Sequence, residues 1–333
     1  MSKGADEMAA LKRILLVLFG VLLLTSCGQK SAGLQEGTAA PDTQLFENGM
    51  KYLEKSQYTK SRLAFQTLIN TYPDSDYTPS AFLAIADSYY GQQGTENYLQ
   101  AEAQYKDFLI FYPTHGMADD AQMKICALNF KLIKPYDRDP TYAKKAEVEC
   151  KRVLDNYPDS ELAPTAREAL REVQDILARH DQDIGDFYFK RSAYNAAEGR
   201  YKEVLDKYPD YGRMDETLYR LGESLEQTGR VTEASVYYEQ IAREYPFSQF
   251  FEDAKNKLVL LEQQVPAVDQ QAATRHKMNR TEETFSLMDP LRSVWEVFTG
   301  RPDIYEVARK RAEERRMQQH AGLPDEGVPI PQN

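Results

Sequence analysis

Three cysteines and four histidines are the side chains of this 333-residue chain from which nucleophilic, redox or metal chemistry would be expected. His115, His180, His276 and His320 are scattered, and none stands in a spacing that could gather a metal ion. There is no HExxH, no Ser/His/Asp or Cys/His arrangement with a recognisable local context, and no glycine-rich phosphate loop. No catalytic residue, cofactor or metal is therefore expected. The cysteines say more. Cys27 follows an unbroken apolar run, Ile14 to Leu24, itself preceded by Lys12-Arg13, so its thiol stands at the exit of an export signal. Cys126 and Cys150 fall on the packing faces of two adjacent helical patterns. In an oxidising compartment those faces would bring the sulfurs together, and either a disulfide or two buried thiols satisfies the pattern.

Eleven apolar residues are too few to span a bilayer core of about 30 Å, but they suit the core of a signal peptide. Leu24-Thr25-Ser26-Cys27 resembles the lipobox of bacterial lipoproteins. That resemblance implies removal of residues 1–26, acylation of Cys27 as the lipidation site, and a mature chain beginning there. Gly28, rather than an aspartate, follows the cysteine and favours the outer membrane. An ordinary secretory signal with a chance cysteine is the competing reading. Starting at Met8 would leave Lys12 and Arg13 alone ahead of the run, a cleaner signal than Met1 gives. Residues 27–41, rich in Gly, Ala, Ser, Thr and Gln, read as a flexible tether.

The formal charge of −11 argues against phosphate-backbone binding, so no nucleic-acid partner is expected. A hydrophobic content of 42% with 28% charged residues fits a folded chain. Tyr is abundant, at 22 copies against one Trp.

Those tyrosines are organised. The pair Tyr-Pro occurs at 72–73, 112–113, 157–158, 208–209 and 245–246, where chance predicts about one copy. Twelve residues before each proline stand Ser61, Ala101, Ala146, Ala197 and Ala234, all small. Eight before stand Phe65, Tyr105, Cys150, Tyr201 and Tyr238, and five before stand Leu68, Phe108, Val153, Val204 and Ile241. These offsets share one helix face, and the proline follows where such a helix should end. An upstream helix in each unit carries a small residue and a bulky one three apart: Gly49/Tyr52, Ala86/Tyr89, Ala127/Phe130, Gly185/Tyr188 and Gly222/Leu225. The small residue admits the partner helix closely.

Helix-turn-helix units ending in proline resemble tetratricopeptide repeats. The resemblance implies an all-α, right-handed superhelical solenoid of five such repeats, from Asp42 to Gln263. Several units exceed the usual 34 residues, and the excess is assigned to turns at Gly91–Glu96 and Lys134–Tyr142 and to a helical extension over Ala163–His180.

The insertions resemble one family. Pro135 to Tyr142 reads Pro-Tyr-Asp-Arg-Asp-Pro-Thr-Tyr, and Phe187 to Arg200 is an aromatic-rich stretch with Arg and small residues. With the lipobox and five repeats, these resemble the BamD family of outer-membrane assembly lipoproteins over about Cys27 to Leu260; Gly199 departs from its pattern. The resemblance implies a non-catalytic subunit of the β-barrel assembly machinery, lipid-anchored on the periplasmic face of the outer membrane. Its implied partners are a BamA-like barrel subunit, other assembly lipoproteins and unfolded outer-membrane β-barrel precursors. A pilotin-like repeat lipoprotein serving a secretin or pilus is the alternative.

Offset from the packing stripe, the first helices of units one to three present Phe46, Met50, Leu53, Leu83, Asp87, Tyr90, Lys124, Leu128 and Lys131 as a groove for an extended, aromatic-ended segment. Arg200 and the fifth unit's Tyr219 and Glu223, on a face that reads as acidic, are candidate docking residues for a partner. Residues 264–333 form a C-terminal extension that begins as a polar linker. Within it, Asp289-Pro290 starts a short helix with Leu291, Val294, Trp295 and Phe298 on one stripe. Leu291, Trp295 and Phe298 complete the docking candidates, because so short a helix needs a surface: either a partner or the last repeat.

Overall fold

The residue before a proline is pushed out of the α region. Accordingly Tyr72, Tyr112, Tyr157, Tyr208 and Tyr245 all adopt φ between −122° and −134° and ψ between 53° and 64°. Each still donates its backbone N–H to the carbonyl four residues back, at 2.8–3.0 Å. Two residues after each proline, the N–H of Ser75, His115, Ser160, Tyr211 and Ser248 returns to the tyrosine carbonyl at 3.0–3.1 Å. In four of these turns the side chain of that same residue also accepts from the N–H two further on: Ser75, His115, Ser160 and Ser248. One turn geometry is thus built five times.

The computed structural model describes residues 40–134 and 139–275. Among them the chain forms eleven complete α-helices and no strand, and a further helical stretch covers 270–275, the last described residues. The first helices of the five units are α1 (Pro41–Glu54), α3 (Thr78–Gln92), α5 (Ala118–Lys131), α7 (Ala163–Lys190) and α9 (Met214–Gln227). The second helices are α2 (Tyr58–Thr71), α4 (Thr95–Phe111), α6 (Thr141–Asn156), α8 (Tyr194–Lys207) and α10 (Val231–Glu244), and α11 (Phe251–Leu260) follows. Each helix packs on the next in sequence from α2 to α11, as in a helical repeat array.

All fifteen residues at the three repeat offsets are fully buried. The bulky residue eight before the proline plugs into the small residue of the partner helix. A Cβ added to Gly49 would lie 2.5 Å from the Phe65 ring, and one on Gly185 or Gly222 would lie 2.6 Å from Tyr201 or Tyr238. Only a bare backbone admits a ring so close. The third unit solves the contact differently, with a Cys126–Cys150 disulfide whose Cα atoms are 4.8 Å apart.

In units one, four and five the first helix ends in a Schellman-type turn. Ser56, Ser192 and Gly229 take φ of 56°, 60° and 76°, and the N–H groups of Gln57, Ala193 and Arg230 reach carbonyls five residues back at 2.8–3.0 Å.

Two insertions differ from expectation. The turn assigned to Gly91–Glu96 is only Gln93–Gly94, because the extra residues lengthen α3 and α4 to 15 and 17 residues. The extension over Ala163–His180 is continuous with the first helix of unit four, giving the single 28-residue α7. The stretch expected to be linker after Gln263 is partly structured: Asp269 donates its N–H to the Arg243 carbonyl at 2.8 Å and its carboxylate caps Gln271 and Ala272. Ala272 and Ala273 are buried there.

Candidate functional site

The first helices were expected to present one groove-lining stripe, and the structure divides that stripe in two. Phe46, Leu83 and Leu128 belong to the interior. Phe46 stacks on Tyr77 with ring centroids 4.6 Å apart, and Leu83 and Leu128 share a cluster with Phe108, Tyr98 and Ile125. The reason is the number of neighbours a middle helix has. α5 contacts α4, α6 and α7, and every residue from Asp120 to Phe130 is buried. The arc left for a groove is narrower than a simple offset around the cylinder implies. Met50 and Leu53, by contrast, are half-buried at the margin of the unit-one core beside Leu45, Ile69 and Tyr89.

Asp87, Tyr90, Lys124 and Lys131 form a polar seam between α3 and α5. Lys124 Nζ lies 2.9 Å from Asp87 Oδ1 and 3.3 Å from Asp120 Oδ2, although its side chain is almost wholly enclosed. Burial alone would depress this ammonium, but the charges of Asp120 and Asp87 outweigh it and hold the group protonated, well above the ordinary lysine range. Tyr105 donates its hydroxyl to the same Asp87 oxygen. At the other end of the seam Lys131 donates to the Tyr90 hydroxyl at 3.2 Å and lies 4.9 Å and 5.1 Å from the centroids of the Tyr90 and Tyr98 rings.

A pattern that the sequence reading missed explains where these acids stand. In units two, four and five the plug is a tyrosine, and the residue after the small one is acidic: Asp87 after Ala86, Asp186 after Gly185, Glu223 after Gly222. The Tyr201 hydroxyl donates to Asp186 Oδ1 at 2.6 Å, whereas the buried Tyr238 hydroxyl makes no hydrogen bond and feels Glu226 and Glu223 through their charges. In units one and three the plugs, Phe65 and Cys150, have no hydroxyl, and the corresponding residues are Met50 and Leu128. A buried phenol needs an acceptor, and in units two and four the first helix supplies one to Tyr105 and Tyr201. The signal was present as Tyr at −8 paired with Asp or Glu in the facing helix.

The face of α9 expected to be acidic is internally paired. Glu216 pairs with Arg213, Glu223 with Arg220 at 2.9 Å, and Glu226 with Lys257 of α11. Two of these bases stand three residues before their acids, which offsets the negative field. Tyr219 stacks on Phe250 at 4.8 Å, joining α9 to the start of α11, and burial with the nearby Glu223, Asp253 and Glu226 pushes its phenol up to about 12. Arg200 lies on α8, paired with Glu203 at 2.9 Å. Cys27, Leu291, Trp295 and Phe298 lie outside the described residues.

Among the described residues no group of three or more His, Cys, Asp or Glu is placed to hold a metal ion, and no helix is long and apolar enough to cross a membrane. Helix pairs with plugged interiors, five matching Tyr-Pro turns and a half-buried apolar margin define a tetratricopeptide-type helical repeat protein. Within that class, the chain belongs to the YfiO family of outer membrane lipoproteins, whose model matches residues 38–234. It is 25% identical over 227 residues to the outer membrane protein assembly factor BamD of Xylella fastidiosa (strain 9a5c), covering 65% of this chain and 76% of that one. To BamD of Rickettsia prowazekii (strain Madrid E) it is 27% identical over 238 residues, covering 69% and 91%. A solved helical-repeat structure, the TPR2AB domain of yeast Sti1 in complex with pHSP90, aligns over 85% of this chain and 98% of its own at 12% identity and a TM-score of 0.36.

Proposed function

We propose that this chain is a non-catalytic outer-membrane protein assembly factor, anchored by an acylated Cys27 and facing the periplasm. In this reading its first two units receive unfolded β-barrel precursors, and its later units dock a BamA-like barrel subunit. Relatives that carry the name of outer membrane protein assembly factor support the role. The observation that carries the precursor site is the margin formed by Met50, Leu53, Tyr89 and Tyr90, apolar and aromatic surface that the core claims only in part. An extended segment ending in an aromatic residue suits it: backbone groups stay solvated along the helices while the ring finds a partly formed apolar seat.

The test is Leu53→Glu, at a half-exposed position where a charge leaves the interior intact. Binding of a peptide copied from the C-terminal strand of a β-barrel protein should fall about tenfold, while a BamA-like subunit still co-purifies in mild detergent. Unchanged peptide binding would remove this margin as the site. Recovery of a secretin in place of a barrel subunit would transfer the chain to pilotin-like work.

A further inference from the structure

Charge is spread unevenly along the array. From Lys51 to Arg62, across the end of α1 and the start of α2, four bases face a single acid: Lys51, Lys55, Lys60 and Arg62 against Glu54. The local charge is +3 in a chain whose total is −11. The three lysines are exposed and Arg62 is half-buried, and none of the four forms an ion pair among the described residues. Arg62 is nevertheless held in place. Its guanidinium carbon lies 4.2 Å from the centroid of the Tyr89 ring, Nη1 donates to the Ser88 hydroxyl at 3.3 Å, and Nη2 donates to Gln92 Oε1 at 3.0 Å. Ser88 is fully buried and donates its own hydroxyl to the Ile85 carbonyl at 2.6 Å, which fixes the oxygen that receives Arg62.

Both of these acceptors are neutral. Arg152, Arg200, Arg213, Arg220, Arg230 and Arg243, by contrast, each donate to a glutamate. Arg62 therefore keeps its charge uncancelled, and three of its five N–H groups take no part in the bonds to Ser88 and Gln92. Its position matters as much as its charge. Tyr89 belongs to the margin proposed for the precursor segment, and it packs with Leu53 against one cluster that includes Phe46, Phe65 and Leu68. The cation thus borders the apolar seat. A terminal aromatic residue bears its carboxylate on the same carbon as its side chain, so a ring seated at Leu53 and Tyr89 carries that carboxylate toward this end of α2. An aromatic residue inside a chain would carry a neutral peptide group there instead.

We propose that Arg62 receives the free C-terminal carboxylate of the segment bound at this margin, with Lys51, Lys55 and Lys60 supplying the surrounding positive field. The proposal rests on the precursor reading and deepens it: the margin distinguishes a chain end from an aromatic residue within a chain. A planar guanidinium offers a carboxylate two parallel N–H bonds, and stacking on Tyr89 sets that plane before a ligand arrives. The exposed lysines act on the encounter, drawing a negative chain end toward unit one of an otherwise acidic protein.

The test uses one fluorescent peptide, copied from the C-terminal strand of a β-barrel protein and ending in phenylalanine, as the free acid and as the C-terminal amide. The full chain should bind the free acid about tenfold more tightly at low salt, and the ratio should shrink as ionic strength rises. With Arg62→Gln the two forms should bind alike. Arg62→Lys, which keeps the charge without the fork, should restore part of the ratio. Far-ultraviolet circular dichroism and melting temperature verify that both variants are folded. Equal binding of acid and amide by the unaltered chain overturns the proposal without recourse to any variant. A full ratio surviving in folded Arg62→Gln also overturns it. If neither form binds, the precursor margin itself fails and the proposal falls with it.

Discussion

Cys126 and Cys150 are joined by a disulfide at the point where each of the other four units drives an aromatic ring against a small residue. A covalent clamp between α5 and α6 replaces a packing plug, and it closes a segment of the chain 24 residues apart in sequence. Cross-linking restrains the unfolded chain, typically by about 2–4 kcal/mol. Replacing both cysteines with alanine should lower stability by roughly that amount, measured by urea unfolding. A thiol assay under denaturing, non-reducing conditions should find neither sulfur reactive, and two reactive thiols from these positions would contradict the bond.

The Tyr201–Asp186 pair makes the hydroxyl and its acceptor interdependent. Tyr201→Phe alone leaves Asp186 without its donor, and Asp186→Leu alone leaves a buried phenol without an acceptor; each should cost about 1–2 kcal/mol. Units one and three already pair a plug lacking a hydroxyl with an apolar residue, so the double variant should recover most of the loss. A double-mutant cycle with a coupling energy near zero would show that the contact contributes nothing.

Two glycines should respond in opposite directions to the same change. Gly222→Ala puts a methyl 2.6 Å from the Tyr238 ring, which must shift, and should cost about 1–3 kcal/mol. Gly199, in the interior of α8, has nothing within 4 Å of an added Cβ. Gly199→Ala should stabilise by about 0.5–1 kcal/mol through helix propensity, read as a higher melting temperature.

Glu172 on α7 gives the stability curve a pH dependence. Burial, then the charges of Glu168 and Asp175, push its carboxyl up to about 8 from an ordinary value of 4.5. Its folded-state pKa lies above its unfolded one, so the protonated form is the one folding favours. That contribution is complete below about pH 4.5 and is lost as pH rises toward 8. Glu172→Gln should therefore raise stability by roughly 1–2 kcal/mol at pH 8, allowing for partial solvent screening, and change it little at pH 4. Equal melting temperatures for the two chains at pH 8 would refute the assignment.

The repeat register was legible because prolines and buried plugs constrain sequence tightly: every residue read at −12, −8 and −5 is interior. The groove was less legible because burial of a first helix depends on three neighbours, and an offset from one packing stripe sees only one of them. Phe46, Leu83 and Leu128 were misplaced for that reason. The charges were misread for another. Lys124 finds Asp87 thirty-seven residues away in sequence, a pairing that no local window displays, whereas Arg213–Glu216 and Arg220–Glu223 lay within one turn and were overlooked. The disulfide stayed open at sequence level because buried thiols fit the same pattern as a bonded pair.

The unbroken run of α7 bears on motion within the array. Its first part buttresses α6 and its last part is the first helix of unit four, within a single rod about 42 Å long. Here too a Tyr-Pro turn at Tyr157 and an interhelix turn at Ser192 bound the helix, but 28 residues of unbroken helix lie between them. Bending between the part of α7 beside α6 and the part that belongs to unit four requires breaking helical hydrogen bonds rather than flexing a loop. Torque carried from α9 into the last part of α7 would reach its first part, beside α6, with no loop inside the rod to absorb it.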